Sequence, residues 1–298
     1  MTPSKSLSQP LAQTLLLPDG RILSFCIQGP RDAYPVFYLH GIPGSKQEPF
    51  LGAEVDTLSD IRLIALDRPG YGGSSPCEHY DLSTHTADLC ALADHLNIGE
   101  FALFGFSGGG FFALNTAHQL GERVSCLVLA GAPAIPLLAD PLSEAGELTA
   151  ATWQQARDNP EALPEQLQPL ASDAQVLADT LLQALSRSDR ALFADPEQLA
   201  HFQADMSAVV EQGAVATAEA VARDCTLVMQ PWPCDLGALS QPVHIFHGTD
   251  DSLLSTQHAQ ALAAAIPHSQ LELGEGEGHY AGICGARARN LCLKALPQ

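Results

Sequence analysis

Basic residues are scarce in this chain. Of its 298 residues only 14 are Lys or Arg, against 34 Asp or Glu, which leaves a formal net charge of -20 at pH 7. A field of that sign repels phosphate backbones and anionic headgroups, so neither nucleic acid nor a membrane surface is an expected partner. Long apolar runs are missing as well. None approaches the roughly 18 residues needed to span a bilayer, and Leu15–Leu17, after the polar stretch Met1–Gln13, is too short for an export-signal core. The eight cysteines stand singly, with no C-x-x-C pair. Without an export signal they read as free thiols, and the expected location is the reducing cytoplasm. Several binding motifs fail too. Gly41–Lys46 lacks the four-residue spacer of a phosphate loop, and neither the glycines around Ser107 nor Gly274–Gly278 make G-x-G-x-x-G. No Cys/His cluster has metal-ligand spacing, so no metal and no cofactor is expected.

What is present is a globular composition, 46% hydrophobic and 16% charged. Leu15–Leu17, the turn sequence Pro18-Asp19-Gly20 and Arg21–Gln28 read as a hairpin. Short, continuous apolar runs follow at Val36–Leu39, Leu63–Leu66, Phe101–Phe104 and Cys126–Ala130, the pattern of strands buried on both faces. Between them Leu82–Leu96 has helical periodicity, with Asp81 or Ser83 placed to cap it. Strands alternating with helices predict an α/β fold.

The character changes after Pro133. Residues 134–237 contain no convincing strand and are rich in Ala, Leu, Gln and Glu, with the clearest helices at Asp173–Leu185 and Glu197–Glu211. This span holds 16 acidic and 4 basic residues, a net of -12, more than half of the negative charge of the chain. Strands resume at Pro242–His247 and Gln270–Leu273. The expected organisation is therefore a core of residues 1–133 and 238–298, with 134–237 inserted as an all-helical cap.

The strongest chemical signal is Gly105-Phe106-Ser107-Gly108-Gly109, which fits G-x-S-x-G between a strand and the helical segment Phe111–Leu120. That context suits a nucleophile elbow, a sharp turn that lifts a serine hydroxyl above the strand ends. The plain alternative is a glycine-rich loop. Each glycine in a helix costs about 1 kcal/mol relative to Ala, so Gly108–Gly110 imply a positional reason. A serine needs a base, and the base an orienting acid, in the chain order Ser, acid, His. His279 follows the strand Gln270–Leu273, and Asp250 and Asp251 follow His247-Gly248-Thr249, so all three groups fall at carboxyl ends of strands. Taken plainly, His279 is a surface histidine and the aspartates cap a helix from Leu253 onward. Asp251 is preferred as the acid, with Asp250 second. The loop His40-Gly41-Ile42-Pro43-Gly44 follows an earlier strand; the backbone N–H groups of Ile42 and Gly108 are the expected oxyanion donors. His40 reads as a structural histidine, and His95, His118, His201 and His258 as solvated or singly hydrogen-bonded.

These motifs, with Asp67-Arg68-Pro69-Gly70-Tyr71-Gly72, Gly248-Thr249-Asp250-Asp251 and Gly278-His279, resemble those of the α/β-hydrolase superfamily nearly end to end. The resemblance implies a mostly parallel eight-stranded sheet with a helical cap after the sixth strand, to which Pro231–Leu236 corresponds as the return. It also selects Asp251 as the acid. The implied activity is that of a serine hydrolase cleaving an ester of a small, largely apolar acyl substrate through an acyl-enzyme. An amide or peptide hydrolase such as an N-terminal aminopeptidase, and a ligand-binding receptor with little turnover, are the alternatives. Serine at position 107, where a dehalogenase or epoxide hydrolase carries aspartate, argues against both of those.

Overall fold

A computed structural model of the chain describes residues 11–50, 60–284 and 287–296. Most of the polar stretch read against an export signal, residues 1–10, lies outside them. The hairpin forms as β1 (Gln13–Leu16) and β2 (Ile22–Gln28), antiparallel, with Gly20 at φ 88° in the turn. The buried runs become β3 (Tyr34–Leu39), β4 (Ile61–Leu66), β5 (Phe101–Phe106), β6 (Val124–Ala130), β7 (Val243–Gly248) and β8 (Ser269–Gly274). Together they make one eight-stranded sheet in the order β1-β2-β4-β3-β5-β6-β7-β8, in which the six strands from β4 to β8 run parallel.

The period-two alternation of a strand sends neighbouring residues into different cores. Phe37 and Leu39 of β3 pack with α1 (Leu82–His95), α2 (Gly109–Leu120) and α9 (Thr256–Ala265). Val36 and Tyr38 pack on the other face, with α10 (Arg287–Ala295) and part of the inserted helices. Asp81 caps α1 by accepting the Thr84 N–H at 2.7 Å. Two boundaries differ from the sequence reading. The strand β5 runs to Phe106, and α2 begins at Gly109 rather than Phe111, because the glycines let the helix start hard against the sheet. A Cβ on Gly109 would lie 1.9 Å from the Leu39 carbonyl oxygen, and one on Gly105 2.6 Å from Gly110 Cα.

Six helices separate β6 from β7: α3 (Glu147–Asp158), α4 (Leu163–Ala171), α5 (Ala174–Ala184), α6 (Arg187–Leu192), α7 (Pro196–Val209) and α8 (Ala214–Met229). The two clearest in sequence are α5 and α7, each opened by an aspartate, Asp173 or Asp195, that accepts two backbone N–H groups of the first turn. Proline near the start of α4 and again at Pro169 hides that helix from a periodicity argument. Among the described residues no helix is long and apolar enough to cross a membrane.

Candidate active site

Ser107 occupies the turn between β5 and α2 with φ 49°, a left-handed backbone for a residue other than glycine. Such a conformation costs about 1–3 kcal/mol and persists only where its surroundings fix it. Here the Ser107 N–H donates to Ala130 O at 2.8 Å, and its carbonyl accepts the Gly110 N–H at 2.9 Å.

His279 begins a short 3-10 turn past β8, and Asp251 follows β7. Their side chains meet, with His279 Nδ1 2.6 Å from Asp251 Oδ2, and are 2% and 1% exposed. The other oxygen, Oδ1, accepts the N–H groups of Leu253 and Leu254 at 2.8 and 3.0 Å. The carboxylate is therefore fixed by its own loop, while α9 starts only at Thr256 and is capped by Ser255. This corrects the helix-cap alternative for the aspartates. His247 Nε2 lies 2.9 Å from Leu254 O and 3.1 Å from Asp251 Oδ2. Both neighbours only accept, so that nitrogen carries the proton. Burial opposes charge on Asp251, but the imidazoles of His279 and His247 hold it well below the usual carboxylate range. Burial likewise opposes the His279 imidazolium, and the Asp251 carboxylate overcomes it, raising His279 above an ordinary histidine. Asp250 points elsewhere. Its exposed carboxylate accepts the hydroxyl of Ser188, on α6, at 2.6 Å.

The loop after β3 is held from behind. Arg68 donates to the carbonyls of His40 and Gly41 at 2.6 and 2.7 Å, and Glu48 accepts the Gly41 N–H at 2.8 Å. His40 Nδ1 lies 2.9 Å from Gly41 O, and Nε2 accepts the Arg68 N–H at 3.1 Å. Burial and the Arg68 charge push His40 well below an ordinary histidine, so it serves as a neutral strut. Ile42 leans on Gly108, where a Cβ would lie 2.5 Å from Ile42 Cδ1. His258 is fully buried, not solvated, and its Nδ1 accepts the Ala134 N–H at 2.9 Å.

Glu48, Arg68 and His247 were not singled out individually by sequence reasoning, and neither were three buried carboxylates of the inserted helices. Asp189 of α6 accepts the backbone N–H groups of His279 and Tyr280, each at 2.9 Å. Asp205 of α7 accepts the Ser45 hydroxyl at 2.5 Å. Asp224 of α8 pairs with Arg68 and Arg223, each at 2.7 Å. Nothing local in the sequence distinguishes them from the other acids of the segment, because their partners in the core loops lie 90 to 160 positions away.

Ser107, Ile42 and Gly108 border a cavity of about 120 Å³ between the sheet edge and helices α3, α4, α5 and α8. Its other walls include Trp153, Leu167, Leu181, Val221 and Val228, with the hydroxyls of Thr149, Thr152, Thr180 and Thr217 among them. Among the described residues that line it there is no Asp, Glu, Lys, Arg or His. The arrangement sets a strained serine at the edge of an uncharged chamber, and the acid-bound imidazole of His279 is not among the residues that line it.

A family model for the alpha/beta hydrolase fold matches residues 34–286. An acetyltransferase component of the acetoin-cleaving system of Pseudomonas putida is 34% identical over 111 residues, 37% of this chain and 30% of that protein. A proline iminopeptidase of Neisseria gonorrhoeae is 34% identical over 110 residues, 35% of this chain and 34% of that one. Each of these two matches spans about a third of the curated relative. An esterase of Rhodococcus sp. ECU1013 has a similar solved structure, with a TM-score of 0.69 at 23% identity over 95% of this chain and 96% of that chain.

Proposed function

This chain belongs to the alpha/beta hydrolase fold family, and from that premise we propose that it is a serine hydrolase cleaving esters of small, neutral, largely apolar acyl groups. In this reading Ser107 Oγ attacks the acyl carbonyl. His279 Nδ1 is taken by Asp251, which leaves Nε2 to accept the serine proton and then to protonate the departing alcohol. The backbone N–H groups of Ile42 and Gly108 stabilise the oxyanion, and water releases the acyl group by the same steps in reverse roles. Residues 134–237 act as a cap that closes the chamber, and cysteines spaced singly along the chain suit a reducing cytoplasm.

The observation that carries the ester reading is the uncharged lining of the cavity. An N-terminal aminopeptidase must hold a substrate ammonium, and burying that charge without a carboxylate partner is expensive. The acidic surface of the insertion does not reach the chamber. At about 120 Å³ the cavity is somewhat smaller than the roughly 150 Å³ apolar cavity that accepts benzene. Acyl groups of up to about six carbons fit that comparison.

The test is a panel of p-nitrophenyl esters of increasing chain length beside aminoacyl p-nitroanilides, run with wild type and Ser107→Ala. Expected is sustained hydrolysis of the short esters, a steep decline by decanoate and little anilide cleavage. Ser107→Ala should lower kcat by about 10⁶-fold. Anilides cleaved faster than esters would favour the peptidase reading. A single burst without sustained turnover would favour a receptor.

A further inference from the structure

The loop that carries His279 is shaped by the insertion, and the contact is unusual in kind. Asp189 is fully buried, on α6, and both carboxylate oxygens are committed to the core loop that carries His279. Oδ2 accepts the His279 N–H and Oδ1 the Tyr280 N–H, each at 2.9 Å, while the Ser186 hydroxyl adds a bond to Oδ2 at 3.0 Å. Three donated hydrogen bonds favour the ionised form, while burial outweighs them and raises Asp189 above the usual carboxylate value. The approach is close enough that a Cβ on Gly278 would lie 2.2 Å from Oδ2. Gly278 has an ordinary extended backbone, φ -94°, so it is glycine here for the space Asp189 takes and not for its conformation. The same helix grips the acid-side loop through Ser188 and Asp250.

We propose that Asp189 is a positioning residue of the catalytic site, a carboxylate lent by the insertion that sets the backbone of the base and adds negative charge behind its imidazole. The proposal rests on His279 being the base. The ionisable groups packed about His279 are Asp251 at Nδ1, His247 behind Asp251, Tyr280 next in the chain, and Asp189. Burial lowers His279, Asp251 outweighs it, and Asp189 adds to the upward pull. Two consequences follow. The base is in register only while α6 is seated, so a cap that lifts to admit substrate disarms the site until it returns. In addition, part of the proton affinity of His279 belongs to the cap.

The experiment compares Asp189→Ala, Asp189→Asn, Gly278→Ala and the double variant Asp189→Ala/Gly278→Ala by steady-state kinetics across pH on a short ester, with a melting curve for each. Displacing a catalytic group by about 1 Å costs on the order of 10²-fold. Asp189→Ala is therefore expected to lower kcat by about that factor with KM within about twofold. Gly278→Ala should do the same, because its methyl group evicts the carboxylate. In the double variant the second change should add almost nothing, since the clash has gone. Asp189→Asn should move the acid limb of kcat/KM to lower pH. Losses that multiply in the double variant, or an Asp189→Ala enzyme within about threefold of wild type with an unmoved acid limb, would overturn the proposal. The His279 ring titration followed by NMR in Asp189→Asn gives a readout independent of turnover: an unmoved titration counts against the proposal, a downward one for it. Ser107→Ala run alongside separates the two readings, because hydrolysis that survives it refutes the nucleophile and leaves the titration to judge Asp189.

Discussion

The inserted helices carry two populations of carboxylate that differ in everything but chemistry. Thirteen of their 16 acids are at least partly exposed, and their structural tasks are mostly local, as when Asp173 and Asp195 cap the helices they precede, Glu144 on the Ser255 hydroxyl being an exception. The other three, Asp189, Asp205 and Asp224, are buried, and each reaches a loop of the core: the loop that carries His279, the loop after β3 and the loop after β4. The first population sets the charge of the surface. The second fastens the inserted helices to the parts of the core that surround Ser107. The core repeats the contrast in two adjacent residues, Asp250 exposed and tied to Ser188, Asp251 buried and tied to His279.

That last pair offers the sharpest way to break the comparison. Asp251→Asn is expected to lower kcat by about 10⁴-fold, because the imidazole loses the partner that fixes its tautomer. Asp250→Asn should stay within about tenfold of wild type, since it weakens only exposed hydrogen bonds from the Ser188 N–H and hydroxyl. Equal losses at both positions would erase the distinction. Next is Asp224→Ala, which leaves the fully buried Arg68 guanidinium without its counter-ion. Breaking a buried pair from one side typically costs about 3–5 kcal/mol, read here from chemical denaturation.

The pH dependence probes Asp251 without mutation. A base acts when neutral, so kcat/KM should fall about tenfold per unit below the His279 value, with a midpoint above the roughly 6.5 of an ordinary histidine. The signs for stability differ between the partners. His279, raised on folding, contributes stability that is full at pH below about 6.5 and lost as pH rises through its folded value. Asp251, depressed on folding, contributes above about 3.9 and loses it only as pH falls through its depressed value. Activity therefore rises over the interval in which the stabilising share of His279 is given up. A midpoint below 6.5 would mean that the carboxylate does not govern the imidazole. The smallest effect belongs to the outward acids. Asp173→Ala or Asp195→Ala should cost about 1 kcal/mol of stability through a lost cap and leave kcat unchanged.

The parts of this molecule that were legible in sequence are those whose signal is local. Val36–Leu39 and Cys126–Ala130 announce buried strands by their continuous apolar character, and Gly105–Gly109 announces a tight strand-to-helix turn because close packing there excludes a Cβ. Ser107, Asp251 and His279 stand at the ends of β5, β7 and β8, as their spacing indicated, and the last two meet. Ile42 and Gly108 both border the chamber. Helices α3, α4, α6 and α8 were harder to see, being short, interrupted by proline or amphipathic against one another rather than against water. Asp189 and Glu48 were illegible for a different reason. Their meaning lies in backbone N–H groups, which every residue but proline possesses, so no residue type marks the partner.

The two oxygens of Asp189 bear on any attempt to redesign this protein by parts. Residues 134–237 look like an exchangeable module, and moving them onto another core would carry most of the walls of the chamber. The same graft would present a buried negative charge to a foreign base loop, where a larger residue in place of Gly278 leaves it no room. The reverse exchange would leave the His279 and Tyr280 N–H groups facing whatever the new module offers. On the proposed reading, substrate preference and turnover would be inherited together, and a chimaera that changes the first would have to be built with the second in mind.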